Sequence, residues 1–416
     1  MILVTSSCTP VIGTPTPAPI VVNTPTPTPS PTATPESTPI QIFTATPRSS
    51  DNNIFINQDD IIDNCFELED FDTAELTIDT YSFISFCTSD EVAFQVCKIS
   101  TINGALNETY LFQNPHPFAP QDLTSPSGEW YGIFDYADNI KYLSIVSFDG
   151  TVLNPEGKKI EKNQYVLGWL DNETLLIDEG PTDYMDSDLR TVYLYNPFRN
   201  VTETKIVFLE RIDKVNLFPT ISFNHHFTKV FYFQTSVVEF PYNAVIKNLD
   251  TDEILWKGIN QYYRVQPQWS MDDSYFAVQN LENDESLFVD YSHNTLVILD
   301  SEEKLIYTLW FNFVDVFDTM AIYWSPDNKY LSIFLRVGDV YGYNQLYLFD
   351  METQQLINTC IINYGRPILK WRPDSKGFTT TSANKTGEEN LMYYDAMSNR
   401  GYLFPANIDN FGWIRK

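Results

Sequence analysis

Basic residues are scarce in this 416-residue chain: 26 Lys and Arg stand against 55 Asp and Glu, leaving a formal charge of −29. A surface of that sign repels phosphate backbones, so nucleic acid is excluded as a partner. Long apolar runs are also missing, and no stretch approaches the roughly 18 residues that a membrane-spanning helix requires. Only four histidines occur. The Gly-x-Ser-x-Gly nucleophile turn, His-Glu-x-x-His, Cys-x-x-Cys and Gly-rich phosphate loops are all absent, so no cofactor or metal is expected. No helical 3.6-residue period of useful length appears in the body of the chain. Aromatic side chains are plentiful instead, 25 Tyr and 29 Phe. They favour pleated surfaces.

The first fifty residues stand apart. Residues 9–49 carry eleven of the 25 prolines, mostly as alternating Thr-Pro, and only Glu36 and Arg48 are charged. Proline removes backbone donors and fixes φ near the polyproline value, so the stretch 9–50 reads as an extended, semi-rigid tether. At about 3.1 Å per residue it reaches on the order of 120 Å. Residues 51–82 read as an extension or cap, and 83–416 as the folded body.

A repeat organises that body. Gln268-Trp269-Ser270-Met271-Asp272-Asp273, Tyr323-Trp324-Ser325-Pro326-Asp327-Asn328 and Lys370-Trp371-Arg372-Pro373-Asp374-Ser375 align directly. Looser copies begin at Thr124, Trp169 and Ile221, a weaker one spans Phe86–Phe94, and Trp413 looks like a copy that runs off the end. The anchors at 124, 169, 221, 269, 324, 371 and 413 lie 42 to 55 residues apart. Each is followed by further short β-rich runs, giving four strands per repeat, the pattern of a propeller blade. The expected fold is all-β: a β-propeller of seven four-stranded blades, closed by strands from both termini, with eight blades as the alternative. The motif residues Trp269, Trp324, Trp371, Asp327 and Asp374 read as structural. Trp fills the wedge between blades, and Pro, Asp and Asn set the turn.

Two family resemblances follow from these residues. The Trp-Ser-Pro-Asp-(Gly/Asn)-x-x-Leu pattern over roughly 83–416 resembles the WD-repeat-like propeller repeat of TolB-type proteins of bacterial envelopes. It implies a propeller, an envelope location and protein-binding roles, with no particular partner. The N-terminal domain of TolB proteins has no counterpart here, and the Pro/Thr tether stands in its place. Met1 through Cys8 resembles the end of a lipoprotein signal, with small Ser6 and Ser7 before Cys8 and Thr5 where that family has an aliphatic residue. The resemblance implies lipid attachment at Cys8 and an extracytoplasmic, membrane-anchored protein, 1–8 being the remnant of a longer signal.

Candidate chemistry is sparse. His225-His226 replaces Pro-Asp at a hairpin turn and reads as a solvated pair, with weak metal affinity as the alternative. Asp183, Asp186 and Asp188 lack the alternate spacing of a calcium loop. Cys65, Cys87, Cys97 and Cys360 permit two disulfides in three pairings, or four buried thiols; Cys65 with Cys87 or Cys97 would pin the extension to the first blade. The expected ligand face consists of the loops entering the innermost strands and those between second and third strands. It carries Tyr262, Tyr263, Arg264, Phe313, Asp315, Tyr341, Tyr364 and Arg366, and aromatics with Arg suit protein or glycan contacts. The expected function is a non-enzymatic, monomeric propeller that binds a protein or glycan of the cell envelope and meets the membrane only through its lipid. A propeller hydrolase or lyase acting on polysaccharide is the alternative, and a purely structural spacer a third reading.

Overall fold

The computed structural model describes residues 52–65, 67–70, 81–88, 94–102, 105–113, 123–137, 140–179, 189–209, 221–234, 242–260, 267–281, 294–311, 321–337, 342–364, 367–383, 389–396, 398–404 and 409–415. The architecture grows from one local device. In the turn after four of the innermost segments a short polar side chain closes the hairpin by accepting a backbone N–H five residues on: Ser125 Oγ from Trp130, Ser270 Oγ from Tyr275, Ser325 Oγ from Tyr330, and Asn224 Oδ1 from Lys229. Two residues further along, Asp272, Asp327 and Asp374 each accept a second backbone N–H. The next residue is left-handed in five copies: Gly128, Phe227, Asp273, Asn328 and Ser375 have φ between 53° and 73°. Asn, Asp and Gly tolerate that region most readily. The turn chemistry therefore reverses the chain at the same place in these repeats.

We name each sheet by its anchor residue. The Trp169 blade contains Gln164–Trp169, Leu175–Glu179, Leu189–Asn196 and Val201–Phe208, paired antiparallel in that order. The Ile221 blade repeats the plan with Ser222–Phe223, Lys229–Phe233, Tyr242–Asn248 and Ile254–Asn260. In the Trp413 blade the C-terminal strand Asp409–Arg415 pairs with Tyr81–Thr88, followed by Phe94–Ile102 and Ala105–Gln113. Strands from both ends of the chain thus share one sheet, which hides an edge. The Thr124 blade has Trp130–Ala137, Ile140–Ser147 and Lys158–Ile160, with Thr124 touching it through a single bridge to Tyr131.

The Trp269, Trp324 and Trp371 blades each have four antiparallel strands and a fifth on the outside. Those fifth strands all come from the N-terminal extension, and all are parallel to their neighbours. Asn53–Ile56 lies against Leu305–Phe311, Ile62–Asp63 against Gln355–Asn363, and Glu67–Asp70 against Arg400–Leu403. The expectation of seven four-stranded blades is therefore corrected. Among the described residues only three of the sheets have four strands; three have five and one has three. The eight-bladed alternative needed a strand from Cys65–Ile78 beside Trp413, whereas Glu67–Asp70 pairs with Arg400–Leu403.

Extension residues 52–70 act as an outer strap across three consecutive blades. Ile56 is buried in a core shared by the Trp269 and Trp324 blades, and Phe55 stacks on Trp310 at 5.6 Å. Trp310 Nε1 donates to Asn53 Oδ1, Asn52 to the Leu305 carbonyl, and Asn358 to Asp63. A disulfide joins Cys65 to Cys360 on the outer strand of the Trp324 blade, with Cα atoms 5.2 Å apart. The strap is thus pinned far from the first blade, unlike a Cys65–Cys87 or Cys65–Cys97 bridge.

Packing between neighbouring sheets supplies the core. Val166, Leu175 and Ile177 of the Trp169 blade meet Leu143, Ile145 and Ile160 of the Thr124 blade. Phe231, Phe233 and Ile246 of the Ile221 blade meet Trp269, Phe276 and Val297 of the next. The anchor tryptophans do more than fill space. Each indole N–H of Trp169, Trp269, Trp324 and Trp413 donates to a carbonyl of the preceding blade's innermost segment, at Leu123, Ser222, Gln268 and Lys370 respectively, over 2.7 to 3.4 Å. Trp371 donates to Ser332 Oγ at 3.0 Å instead. A buried donor thereby finds a partner that only correct blade docking provides.

Candidate functional site

Strand direction divides the propeller into a turn end, holding the hairpins after the innermost strands, and a loop end. At the turn end, polar groups are consumed by blade-to-blade contacts. The Ser127 amide donates to Asn172 Oδ1, Asn328 Nδ2 to Asp272 Oδ1, the Asp327 amide to Ser375 Oγ, and the Arg415 amide to the Gly128 carbonyl. Within the Trp371 blade, Arg372 forks onto Asp374 at 3.0 and 2.7 Å and also donates to Tyr393 Oη.

The densest of these contacts surrounds Asp273. Its two oxygens accept from the backbone amides and Nδ1 atoms of both His225 and His226, at 2.6 to 2.9 Å, and from Asn224 Nδ2 at 2.9 Å. Burial alone pushes this carboxyl up, but the His225 side chain and the two histidine amides outweigh it and hold the pKa at about 2. The histidine pair is thus an inter-blade clamp, with both Nδ1 atoms committed to one carboxylate. A site for a metal needs converging lone pairs, and among the described residues no group of three or more His, Cys, Asp or Glu is arranged to hold one. The sequence signal for the clamp was present: Asp273 is acidic where the aligned turns carry Asn328 or Ser375.

The loop end is organised differently. Of the ligand-face residues named from the sequence, Tyr364 alone falls among the described residues. It follows Gln355–Asn363, is 53% exposed, and meets Tyr343 edge-to-face with ring centres 6.2 Å apart. Tyr262, Tyr263, Arg264, Phe313, Asp315, Tyr341 and Arg366 lie outside the described residues, as do Cys8 and the acidic segment Asp183–Asp188. Beneath Tyr364, Tyr323 Oη donates to the Pro367 carbonyl and the wholly buried Asn363 bonds Thr381 of the next blade.

The Trp169 blade adds a second polar group at this end, which sequence reasoning missed. Glu179 closes its strand and accepts from Tyr193 Oη at 2.5 Å and Asn163 Nδ2 at 3.0 Å. The bond to Glu179 pushes the Tyr193 hydroxyl pKa up, so it stays a donor. On the opposite face of the sheet, buried Asp178 receives Arg190 in a two-pronged pair at 3.2 and 2.6 Å. Burial raises the Asp178 pKa, and Arg190 opposes that rise. The signal for this group was two adjacent carboxylates ending an apolar strand. The Glu179 cluster orders hydroxyl and amide dipoles suited to binding. It offers no nucleophile paired with a base.

No family model matches the chain, and no curated protein matches it. Solved structures do. The β-propeller domain of the Trilobed protease from Pyrococcus furiosus is 13% identical, with a TM-score of 0.48, covering 79% of this chain and 95% of that one. A putative 6-phosphogluconolactonase from Bacteroides uniformis is 12% identical, with a TM-score of 0.47, covering 80% and 97%. TolB from Acinetobacter baumannii is 12% identical, with a TM-score of 0.40, covering 80% and 82%. The chain is a β-propeller on its own sheet order. These neighbours are the propeller domain of a protease, a putative lactonase and TolB, and at such identities they assign no activity.

Proposed function

We propose that the protein is a non-enzymatic binding module of the cell envelope, which takes a protein or glycan partner at its loop end. The observation that carries the reading is the contrast between the two ends. Turn-end polar groups hold neighbouring blades together. The loop end carries the exposed Tyr364 beside Tyr343, and the ordered Glu179–Tyr193–Asn163 group. Exposed aromatic faces and fixed hydroxyl and amide groups are each features that protein and glycan recognition uses. The Cys65–Cys360 disulfide, formed by two exposed cysteines, supports an oxidising compartment. Within this reading Cys8 carries lipid, and the Pro/Thr stretch spaces the propeller from the membrane.

A photo-cross-linking residue placed at position 364, and separately at Met271 of the turn end, tests the assignment in living cells. Discrete adducts from 364 and none from 271 are expected. Adducts from 271 alone, or none from 364, would overturn the loop-end assignment.

A further inference from the structure

The strap covers the outer edges of three blades and leaves that of the Trp169 blade without a fifth strand among the described residues. This edge, Val201–Phe208, is eight residues long and contains no proline. It also concentrates exposed apolar side chains: Val201 is 56% exposed, Ile206 69% and Phe208 43%. On one side of it stands the Thr124 blade. Its outer strand, Lys158–Ile160, is three residues long. It reaches this edge at one end, where Lys158 Nζ donates to Thr202 Oγ1 at 3.0 Å. A long edge strand with apolar side chains in water is a template for another strand.

The order of residues on the edge selects the occupant. Val201-Thr202-Glu203-Thr204-Lys205-Ile206-Val207 is charge-symmetric about Thr204. If two copies pair antiparallel around a two-fold axis at Thr204, Glu203 of each copy stands opposite Lys205 of the other. Thr202 stands opposite Ile206, Thr204 opposite itself, and Val201 opposite Val207. A two-fold interface requires this kind of self-complementarity, and opposite charges directly across a strand pair stabilise it. In the single chain Lys205 pairs with Glu203 on its own strand, with both side chains largely in solvent. That exposed pair is worth little and is exchanged without loss.

We propose that the protein associates through Val201–Phe208 with a second copy of itself, joining two Trp169 blades into one continuous antiparallel sheet. The dimer departs from the monomer expected from the sequence and is independent of the loop-end assignment. With a charge of −29 per copy, long-range repulsion opposes the contact. Salt screens that repulsion over about 10 Å at 0.1 M, so association strengthens as salt rises.

Sedimentation equilibrium of the full chain, at protein concentrations from micromolar to a few hundred micromolar and at low and high salt, measures the association. Wild-type protein is expected to dimerise reversibly, and more tightly at high salt. Lys205→Glu sets Glu against Glu twice and should weaken the dimer at least tenfold. Glu203→Lys combined with Lys205→Glu restores opposite charges across the axis and should recover the wild-type constant. A wild-type monomer throughout the range would overturn the proposal. So would a double variant no tighter than Lys205→Glu, or association untouched by either change, which would place the contact on another surface.

Discussion

Asp273→Asn is the substitution that tests the ring's clamping most directly. The carboxylate sits 9% exposed between two blades, accepts bonds from both His225 and His226, and has its pKa held down from 3.8 to about 2. By linkage that drop is worth about 2 kcal/mol to the folded state. The sign is that of a depressed acid: the stabilisation is fully present above pH 3.8 and is lost as pH falls toward 2. Asparagine tolerates the left-handed φ of 58° at this position, so backbone strain does not contribute to the change. Its amide nitrogen, however, faces donors and leaves at least one of them unsatisfied. The expected cost at neutral pH is about 2–4 kcal/mol. Urea unfolding followed by tryptophan fluorescence reads the loss, and the gap between wild type and variant should shrink below pH 4. A loss under about 1 kcal/mol, or a gap that does not change with pH, would refute the clamp as described.

Two further substitutions probe other parts of the frame. Cys360→Ser removes the link to Cys65 across a sequence separation of 295; we expect a loss of about 2–4 kcal/mol and early proteolytic cutting within 57–66, while the blades stay resistant. Equal resistance of the strap in both proteins would contradict its dependence on the bond. Arg190→Met strands the buried Asp178 carboxylate and should cost about 3–5 kcal/mol in thermal or urea unfolding. Adding Asp178→Leu should recover most of that loss, because two apolar side chains need no counter-charge.

The blade pattern was legible because its determinants are local. Trp-Ser-Pro-Asp at 324–327 encodes an end of strand and a turn within four residues, and the same residues close the same turn in the structure. The indole donors were not legible: Trp324 finds its acceptor at Gln268, 56 residues away, through docking alone. The strap was hidden for a related reason. Ile62–Asp63 and Glu67–Asp70 are too short and too acidic to show a period, and their partners lie near the other end of the chain. Cys65 gave no hint of Cys360, since four cysteines allow three pairings and spacing does not choose among them. At the candidate site, the position of Tyr364 in a loop after a strand was legible, and it follows Gln355–Asn363 in the structure. The Glu179–Tyr193–Asn163 group was not, because it assembles across three different segments.

The disulfide has a consequence for how the chain comes into being. During synthesis Cys65 appears before any of its possible partners in the blades, and Cys87 and Cys97 follow within a few dozen residues. Cys360 comes last. Short loops close faster than long ones, so the first bonds open to Cys65 are the wrong ones. The native link is reached by waiting or by exchange through a thiolate. The waiting is enforced from the other side too, because the strand that completes the Trp413 blade is the last to be made. The order in which the cysteines emerge therefore runs against the order in which the native bond can form.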